Sequence, residues 1–351
     1  MSGLEPRFYV SCIGGLEEVA AEEICELGAS AAITALEFGR VHFAYDGPVA
    51  PLLGLRTIEH LNAYVTVLEP VRPERAWLAD LEAALAGTDL RPALALMRQV
   101  REVPEVPRFR VTPVRQGEHD FTSPEVGAAA GAGIAERYGW PVDLTGHDLD
   151  VRVEVRGSQA MVGLRLSPEA LHHRSRVVHM RASLNPTVAA AMVRLSQPRA
   201  GETVLDPMAG AGTLLTERHQ HDADVSLVAG DLYAEKLALA RENFAAFGVP
   251  AHLLQADAQE LPLQTAAVDK VLSNLPWGRV VANPRINRRL YPRLLAEVAR
   301  VLRPGGVALL LTSERSLTER TLSRLPDLRL ERQLHLHIGG LQPTLYLTRR
   351  T

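Results

Sequence analysis

Residues 203 to 217 read Thr203-Val-Leu-Asp-Pro-Met-Ala-Gly-Ala-Gly-Thr-Leu-Leu-Thr-Glu217. A short apolar run ends in a loop of small residues, and a helix-forming stretch comes next. Gly210 and Gly212 let the backbone approach a ligand closely, and the N-terminus of the helix beyond them is electropositive. A dinucleotide fingerprint asks for a third glycine, but Leu215 stands at that place, which disfavours nicotinamide and flavin cofactors. The next apolar run, Leu227-Val-Ala-Gly-Asp231, ends in an acid about 20 residues beyond the loop, the distance at which a carboxylate meets ribose hydroxyls in nucleotide-binding α/β folds. A third run, Ala251 to Ala256, ends at Asp257-Ala258, where a carboxylate can meet an adenine amine. Strands alternating with helical segments predict a parallel sheet covered by helices.

Further along, the strand-like run Val268 to Leu272 leads into Asn274-Leu275-Pro276-Trp277. This suits methylation of an exocyclic amino group on a nucleobase. Such an amine is a poor nucleophile, because its lone pair is delocalised into the ring and it must become tetrahedral to attack. Two acceptors aimed at its hydrogens favour that geometry. The Asn274 side-chain oxygen supplies one and the Leu275 carbonyl the other, while Pro276 fixes the local backbone. Trp277 offers a flat face to an unstacked base. The bland alternative is an ordinary strand-to-loop turn with a tryptophan filling the core.

Taken in order, these segments resemble the S-adenosylmethionine-dependent methyltransferases of Rossmann-like fold, in particular the amino-methylating group whose fourth motif is [Asn/Asp]-Pro-Pro-[Tyr/Phe/Trp]. Leu275 replaces the first proline, at a position that contributes a carbonyl rather than a side chain. The resemblance implies an α/β fold with a seven-stranded mixed sheet whose last strand is antiparallel. It also implies S-adenosylmethionine as cofactor. Asp206-Pro-Met208-Ala209-Gly210-Ala-Gly212-Thr213 is similar to the family's cofactor loop, Asp231 with Leu232 to the ribose acid, and Asp257 with Ala258 to the adenine side. Leu184-Asn185-Pro-Thr187 is similar to a further cofactor-side segment, and Leu302 to Gly306 to the turn before the fifth strand. Asn274 is implied to touch cofactor as well as substrate, with Asn274, Leu275, Pro276 and Trp277 as the catalytic set.

Composition agrees. The chain has 351 residues, enough for two or three domains with their own cores. Hydrophobic residues make up 46% and charged residues 23%, as in soluble globular proteins. No apolar run approaches the ~20 residues of a membrane span, and Glu5, Glu17, Glu18, Glu22 and Glu23 interrupt any signal-like stretch. A cytoplasmic protein without a membrane partner is expected. Cys12 and Cys25 are the only cysteines and lie far along the chain from the catalytic segment. A disulfide framework, a cysteine-rich zinc site and a cysteine nucleophile therefore lack material, which argues against C5-methylation of pyrimidines. Lys236 and Lys270 are the only lysines, a bias that speaks of genome composition rather than function.

The net charge of −3 looks wrong for a nucleic-acid partner, but its distribution matters more than its sum. Residues 271 to 300 carry Arg279, Arg285, Arg288, Arg289, Arg293 and Arg300 against the single acid Glu297. Arg174, Arg176 and Arg181 form a second cluster that faces no acid in its own stretch. Arginines beside a base-modifying site can hold the phosphates that flank the target. For any single arginine a solvated helix face is the competing reading.

Everything before residue 184 reads as separate from the catalytic half. Arg7 to Cys12 and Val41 to Tyr45 are predicted strands, with a helix over Leu16 to Leu27 closed by Gly28. Pro70, Pro73, Pro104 and Pro107 punctuate the stretch after these strands. Phe109 to Phe121, Asp150 to Val155 and Gln159 to Leu166 supply strands around a helix over Glu125 to Tyr138. With Leu171-His-His-Arg174 this pattern resembles a ferredoxin-like domain followed by a THUMP domain, an RNA-binding module of tRNA-modifying enzymes. The expected boundaries are 1–62 for the ferredoxin-like domain, 63–165 for THUMP, 166–183 for a linker and 184–351 for the methyltransferase domain.

Together the halves resemble the THUMP-containing tRNA guanine-N2-methyltransferases, which implies methylation of a guanosine at position six of the tRNA acceptor stem. Three readings stay open: that activity, methylation of guanine N2 in ribosomal RNA or of adenine N6, and a non-catalytic RNA-binding protein. The intact Asp206, Gly210, Gly212, Asp231, Asn274 and Pro276 argue against the last. The segment Leu330 to Thr348, with a turn at Gly339-Gly340, is similar to the family's antiparallel last strand, and His335 and His337 within it are read as sheet residues. No metal partner is expected, and the protein is expected to act as a monomer. A fragment 184–351 is expected to bind cofactor by itself.

Overall fold

A computed structural model describes residues 7–171, 174, 183–278 and 284–351. The chain divides into two compact units, and the division is not a single cut. One unit comprises residues up to Ser11, Glu23–Leu55 and His60–Ala170, and the other Cys12–Glu22, Arg56–Glu59 and Leu171–Thr351.

The first unit is built on strands β1 (Phe8–Cys12), β2 (Ala31–Glu37), β3 (Arg40–Tyr45), β4 (Ile58–Leu68), β5 (Phe109–Gln116), β6 (Leu149–Arg156) and β7 (Gln159–Arg165). They form one seven-stranded sheet in the order β2-β3-β1-β4-β7-β6-β5, so the ferredoxin-like and THUMP-like segments share a continuous ladder. Strict alternation in β6 sends Leu149, Val151, Val153 and Val155 to one face and Asp150, Arg152, Glu154 and Arg156 to the other. Helices α2 (Trp77–Gly87), α3 (Arg91–Met97) and α4 (Ser123–Tyr138) belong to this unit, while α1 (Glu17–Cys25) starts in the second. The start of α4 is set by its sequence: Thr122 and Glu125 form a reciprocal capping box, and Gly139 ends the helix in the left-handed region. Its small residues allow α2 to come close. A Cβ on Gly133 would lie 2.2 Å from the Glu82 carbonyl oxygen.

The second unit holds α5 (Pro186–Leu195), β8 (Glu202–Asp206), α6 (Thr213–His221), β9 (Val225–Asp231), α7 (Ala234–Phe247), β10 (Ala251–Gln255), β11 (Val268–Asn274), α8 (Pro284–Val301), β12 (Leu302–Thr312), α9 (Arg315–Leu322), β13 (Leu328–His335) and β14 (Thr344–Arg350). Its sheet order is β10-β9-β8-β11-β12-β14-β13, parallel through β12 and antiparallel at β14. The expected mixed seven-stranded sheet with an antiparallel last strand is therefore present. Both faces are apolar, as a sheet covered on both sides requires. Val204, Leu272, Leu309 and Leu311 point to one core, and Leu205, Val271, Ala308 and Leu310 to the other. Strand order reverses between β8 and β11, which opens a crevice at the carboxyl ends of the strands.

The expectation that everything before residue 184 stands apart is corrected here. Ile13, Leu16 and Val19 are buried in the same core as Val188, Met192 and Leu336, and Gly14 bridges His337 in antiparallel fashion. Cys12 thus belongs to the catalytic unit despite its distance along the chain, and burial pushes its thiol far up. A fragment starting at residue 184 lacks part of its own core. Among the described residues no helix is long and apolar enough to cross a membrane.

Candidate active site

Four sequence elements meet at the carboxyl ends of the parallel strands. β8 ends at Asp206, β9 at Asp231 and β11 at Asn274, while Asp257 comes just after β10. Asp206 is 2% exposed at the end of β8, where its Oδ1 accepts the Met208 amide at 3.0 Å and the Ser273 hydroxyl at 2.9 Å. Burial raises its carboxyl to about 7, against the pull of those donors, and the neighbouring Asp231 adds to the rise. Asp231 accepts the Gly210 amide at 3.1 Å and the Tyr233 amide at 3.1 Å, with the Lys236 ammonium 3.7 Å away. Gly212 caps α6 with φ +82, and a Cβ there would lie 2.5 Å from the Phe244 ring. Only glycine serves both demands.

Asp231, Asp257 and the turn residues Pro207 and Pro276 border a cavity of about 760 Å³, within the range of small-molecule and cofactor sites, whereas Asp206, Asn274, Leu275 and Trp277 are not among its lining residues. Of the residues singled out from sequence, Met208, Asp231, Leu232, Asp257, Ala258, Pro276 and Arg289 line it. Pro207, Tyr233, Lys236, Gln259, Ile286, Leu290, Pro292 and Arg293 line it too, and sequence reasoning missed them as cavity residues. Lys236 reads from sequence, with Lys270, as a matter of composition alone; in the structure it stands over the Tyr233 ring at 4.9 Å. A signal was available, since Tyr233 to Lys236 open the helix directly after Asp231 at the end of β9. Lys270, by contrast, is buried and paired with Glu202 at 2.7 Å.

Asn185 and Thr187 are not among the cavity residues. The Asn185 side chain caps α5 by accepting the Thr187 amide at 2.8 Å, and its Nδ2 donates to Glu59 at 3.3 Å. Thr187 is fully buried and donates to the Ile58 carbonyl. Ala209, Gly210, Gly212 and Thr213 form the turn and the first position of α6, with Ala209 donating to the Gly230 carbonyl at 2.8 Å. Asp257 accepts from the backbone and side chain of Gln259.

The turn after β11 is tightly held. The Leu275 amide donates to the Leu311 carbonyl at 2.9 Å. The Pro276 carbonyl accepts from Asn287 Nδ2 and from the Tyr291 hydroxyl, each at 2.9 Å. Trp277 is half-buried against the core, and its Nε1 donates to Asn274 Oδ1 at 3.0 Å. The tryptophan therefore packs on the core, as the bland alternative had it, and it also touches the motif's carboxamide.

The arginines divide. Arg285, Arg288, Arg289 and Arg293 are exposed on α8, and Arg300 is engaged by Glu297 at 2.7 Å. Arg174 was expected to face no acid, and this is corrected: its guanidinium lies 3.8 Å from the buried Glu217 and also donates to the Leu171 and Arg56 carbonyls. Glu217 comes from α6, far along the chain, so the pairing is invisible locally. Arg176, Arg181 and Arg279 lie outside the described residues. His335 bonds Thr344 through Nδ1, and among the described residues no group of metal-ligating side chains is assembled.

Comparison with known proteins agrees with this geometry. Residues 173–344 match the RMKL-like methyltransferase domain family and residues 93–165 the THUMP domain. The chain is 36% identical over 337 residues to the tRNA (guanine(6)-N2)-methyltransferase of Thermus thermophilus, covering 95% of this chain and 96% of that one. The chain belongs to the tRNA (guanine(6)-N2)-methyltransferase family. The crystal structure of TrmN from Thermus thermophilus superposes with a TM-score of 0.82 at 34% identity, over 99% of this chain and 100% of that one. A Mus musculus member of the family is 33% identical over 266 residues, 71% of this chain and 52% of its own length. Membership makes the protein an enzyme, a methyltransferase. The segments with which it begins, Phe8 to Leu68, sit in the same sheet as the THUMP-matching strands.

Proposed function

We propose that this enzyme methylates N2 of a guanosine in tRNA, at position six of the acceptor stem, with S-adenosylmethionine as methyl donor. What supports the reading above all is that Pro276 of the Asn274–Trp277 turn lines the same cavity as Asp231 and Asp257. A base-amine motif and a nucleoside-binding pair of acids thus border one space. The residues present fit the cofactor: two carboxylates for ribose and adenine, and the apolar Leu232 and Ala258 for the purine faces. When bound, it supplies an electrophilic methyl group on a sulfonium.

The chain's own residues do the rest. Asp231 holds the ribose hydroxyls and Asp257 the adenine amine. Asn274 Oδ1 and the Leu275 carbonyl accept from the guanine amino group, drawing it toward tetrahedral geometry and bearing the positive charge that develops on nitrogen during attack. Trp277 supports the base at the edge of the turn. Asp206, Ala209, Gly210, Gly212 and Thr213 would shape the loop that receives the cofactor's amino-acid end, whereas Asn185 and Thr187 hold the start of α5. Arg285, Arg288, Arg289 and Arg293 on α8 meet the phosphates that flank the target, and the THUMP-matching segment adds RNA contact. The enzyme is read as a cytoplasmic monomer.

Incubating the full chain with labelled S-adenosylmethionine and total tRNA or ribosomal RNA, with nucleoside mass spectrometry and position mapping of the product, tests this. N2-methylguanosine at tRNA position six is expected. Label in ribosomal RNA or on adenine would replace the reading, and no label in any RNA would end it.

A further inference from the structure

Helix α8 places Asn287, Tyr291, Leu294, Leu295 and Val298 on one buried stripe at helical spacing, and all five are 0% exposed. Four of them are the aromatic and aliphatic residues that a core stripe calls for. Asn287 is a carboxamide, and its Nδ2 donates to the Pro276 carbonyl at 2.9 Å and to Glu314 Oε1 at 3.1 Å. A carbonyl and a carboxylate both accept, so the amide nitrogen must point at them and the amide cannot be reversed. This leaves Asn287 Oδ1 buried without a hydrogen-bond partner among the described residues. Stability alone selects against such a residue at this position.

Tyr291 completes the arrangement. The Glu314 amide donates to Thr312 Oγ1 at 3.0 Å, which leaves the threonine proton for the Tyr291 oxygen at 2.6 Å and the tyrosine proton for the Pro276 carbonyl at 2.9 Å. Burial pushes the Tyr291 hydroxyl far up, so it remains a donor at any working pH. The Ser313 hydroxyl donates to the Trp277 carbonyl at 3.3 Å. The carbonyls of Pro276 and Trp277 are thus tied back to α8 and the end of β12, whereas no hydrogen bond to the Leu275 carbonyl occurs among the described residues.

We infer that Asn287 and Tyr291 are positioning residues for methyl transfer: by clamping the Pro276 carbonyl from two sides they fix the Pro276–Trp277 peptide plane, and through the φ that the proline ring locks they hold the preceding Leu275 carbonyl and seat Asn274 at the substrate amine. They touch neither cofactor nor base themselves. The inference rests on the proposed roles of Asn274 and Leu275. It accounts for a polar residue on an otherwise apolar stripe.

The test uses the full chain with Asn287→Leu, Tyr291→Phe and Asn274→Ala. Asn287→Leu restores the apolar stripe and Tyr291→Phe keeps the ring, so both should melt close to the wild type. Misplacing an acceptor should slow single-turnover methylation of saturating tRNA by roughly tenfold to a hundredfold, with S-adenosylhomocysteine affinity and the KM for tRNA within threefold. A merely structural role predicts a changed melting temperature and an unchanged rate. Wild-type rates in folded Asn287→Leu and Tyr291→Phe, beside an inactive Asn274→Ala, would overturn the positioning role and leave the site reading intact. A wild-type rate in Asn274→Ala would overturn the site reading, and this inference with it. If Asn287→Leu does not fold, Tyr291→Phe decides alone.

Discussion

The indole Nε1 of Trp277 donates a hydrogen bond of 3.0 Å to the side-chain oxygen of Asn274, three residues before it. A carboxamide oxygen has two lone pairs, so the bond occupies one and leaves one for a substrate amine. It also decides which end of the amide is the oxygen. Asn274→Ala should lower kcat by about 10²–10³ with cofactor and tRNA affinities within a few-fold, because the lost acceptor acts as charge develops. Trp277→Phe keeps an aromatic face and loses only the donor. At about 0.5–1.5 kcal/mol for one neutral hydrogen bond, its single-turnover rate should fall by up to roughly tenfold. Wild-type rates in both variants at saturating tRNA would remove this turn from the chemistry.

Asp231→Ala should weaken S-adenosylhomocysteine binding. Each charge-assisted bond from a carboxylate to a ribose hydroxyl is worth roughly 1.5–3 kcal/mol. The carboxylate also holds the Gly210 amide, so the loop loosens as well. Calorimetry on the folded variant is the measurement, and unchanged affinity would take Asp231 out of the cofactor site.

Asp206 makes ligand-free stability depend on pH. Its carboxyl is raised to about 7 in the folded protein, first by burial, whereas in the unfolded chain it ionises near the ordinary value of about 4. Between those values the folded state holds a proton that the unfolded state has released, so this contribution to stability is present below about pH 4, falls as pH rises, and is gone above about pH 7. Asp206→Asn does not titrate. The stability of the variant minus that of the wild type should grow across this window, by up to roughly 4 kcal/mol, and then level off. Urea unfolding from pH 5 to 8.5 reads the difference, and a difference independent of pH would contradict the raised carboxyl.

Arg289 and Arg293 lie one helical turn apart on α8, and both face the cavity. If they meet phosphates, replacing either with Ala should raise the KM for tRNA and reduce the slope of log affinity against log salt by about 1 each, leaving cofactor affinity unchanged. A double variant with wild-type salt dependence would show that the RNA path avoids this helix.

Local pattern carried much of the fold. The small-residue loop from Asp206 to Gly212, the strands leading to Asp231 and Asn274, and the helix expected over Glu125 to Tyr138 and observed as Ser123–Tyr138 were legible because each depends on neighbours within a few positions. The Asn274 to Trp277 turn was legible as a motif for the same reason, since its residues are consecutive. What failed was anything set by partners far along the chain. Arg174 looked unopposed because Glu217 lies far along the chain, and Ile286, Leu290 and Pro292 gave no sign that they border the cavity.

By itself, then, the sequence marked several of the strands and helices, though not β2, β4, α2 or α3, together with the acids that stand at strand ends and a turn whose residue types suit an amine. Periodicity, capping and loop flexibility are properties of short segments, and they act before any long-range contact exists. Tertiary structure alone decided that Ile13, Leu16 and Val19 complete the core of the catalytic unit, that Asn185 and Thr187 serve a helix start, and that Asn287 and Tyr291 hold the Pro276 carbonyl. Those outcomes depend on which surfaces bury one another and which buried polar groups must find partners, and both requirements are satisfied only when distant segments pack together.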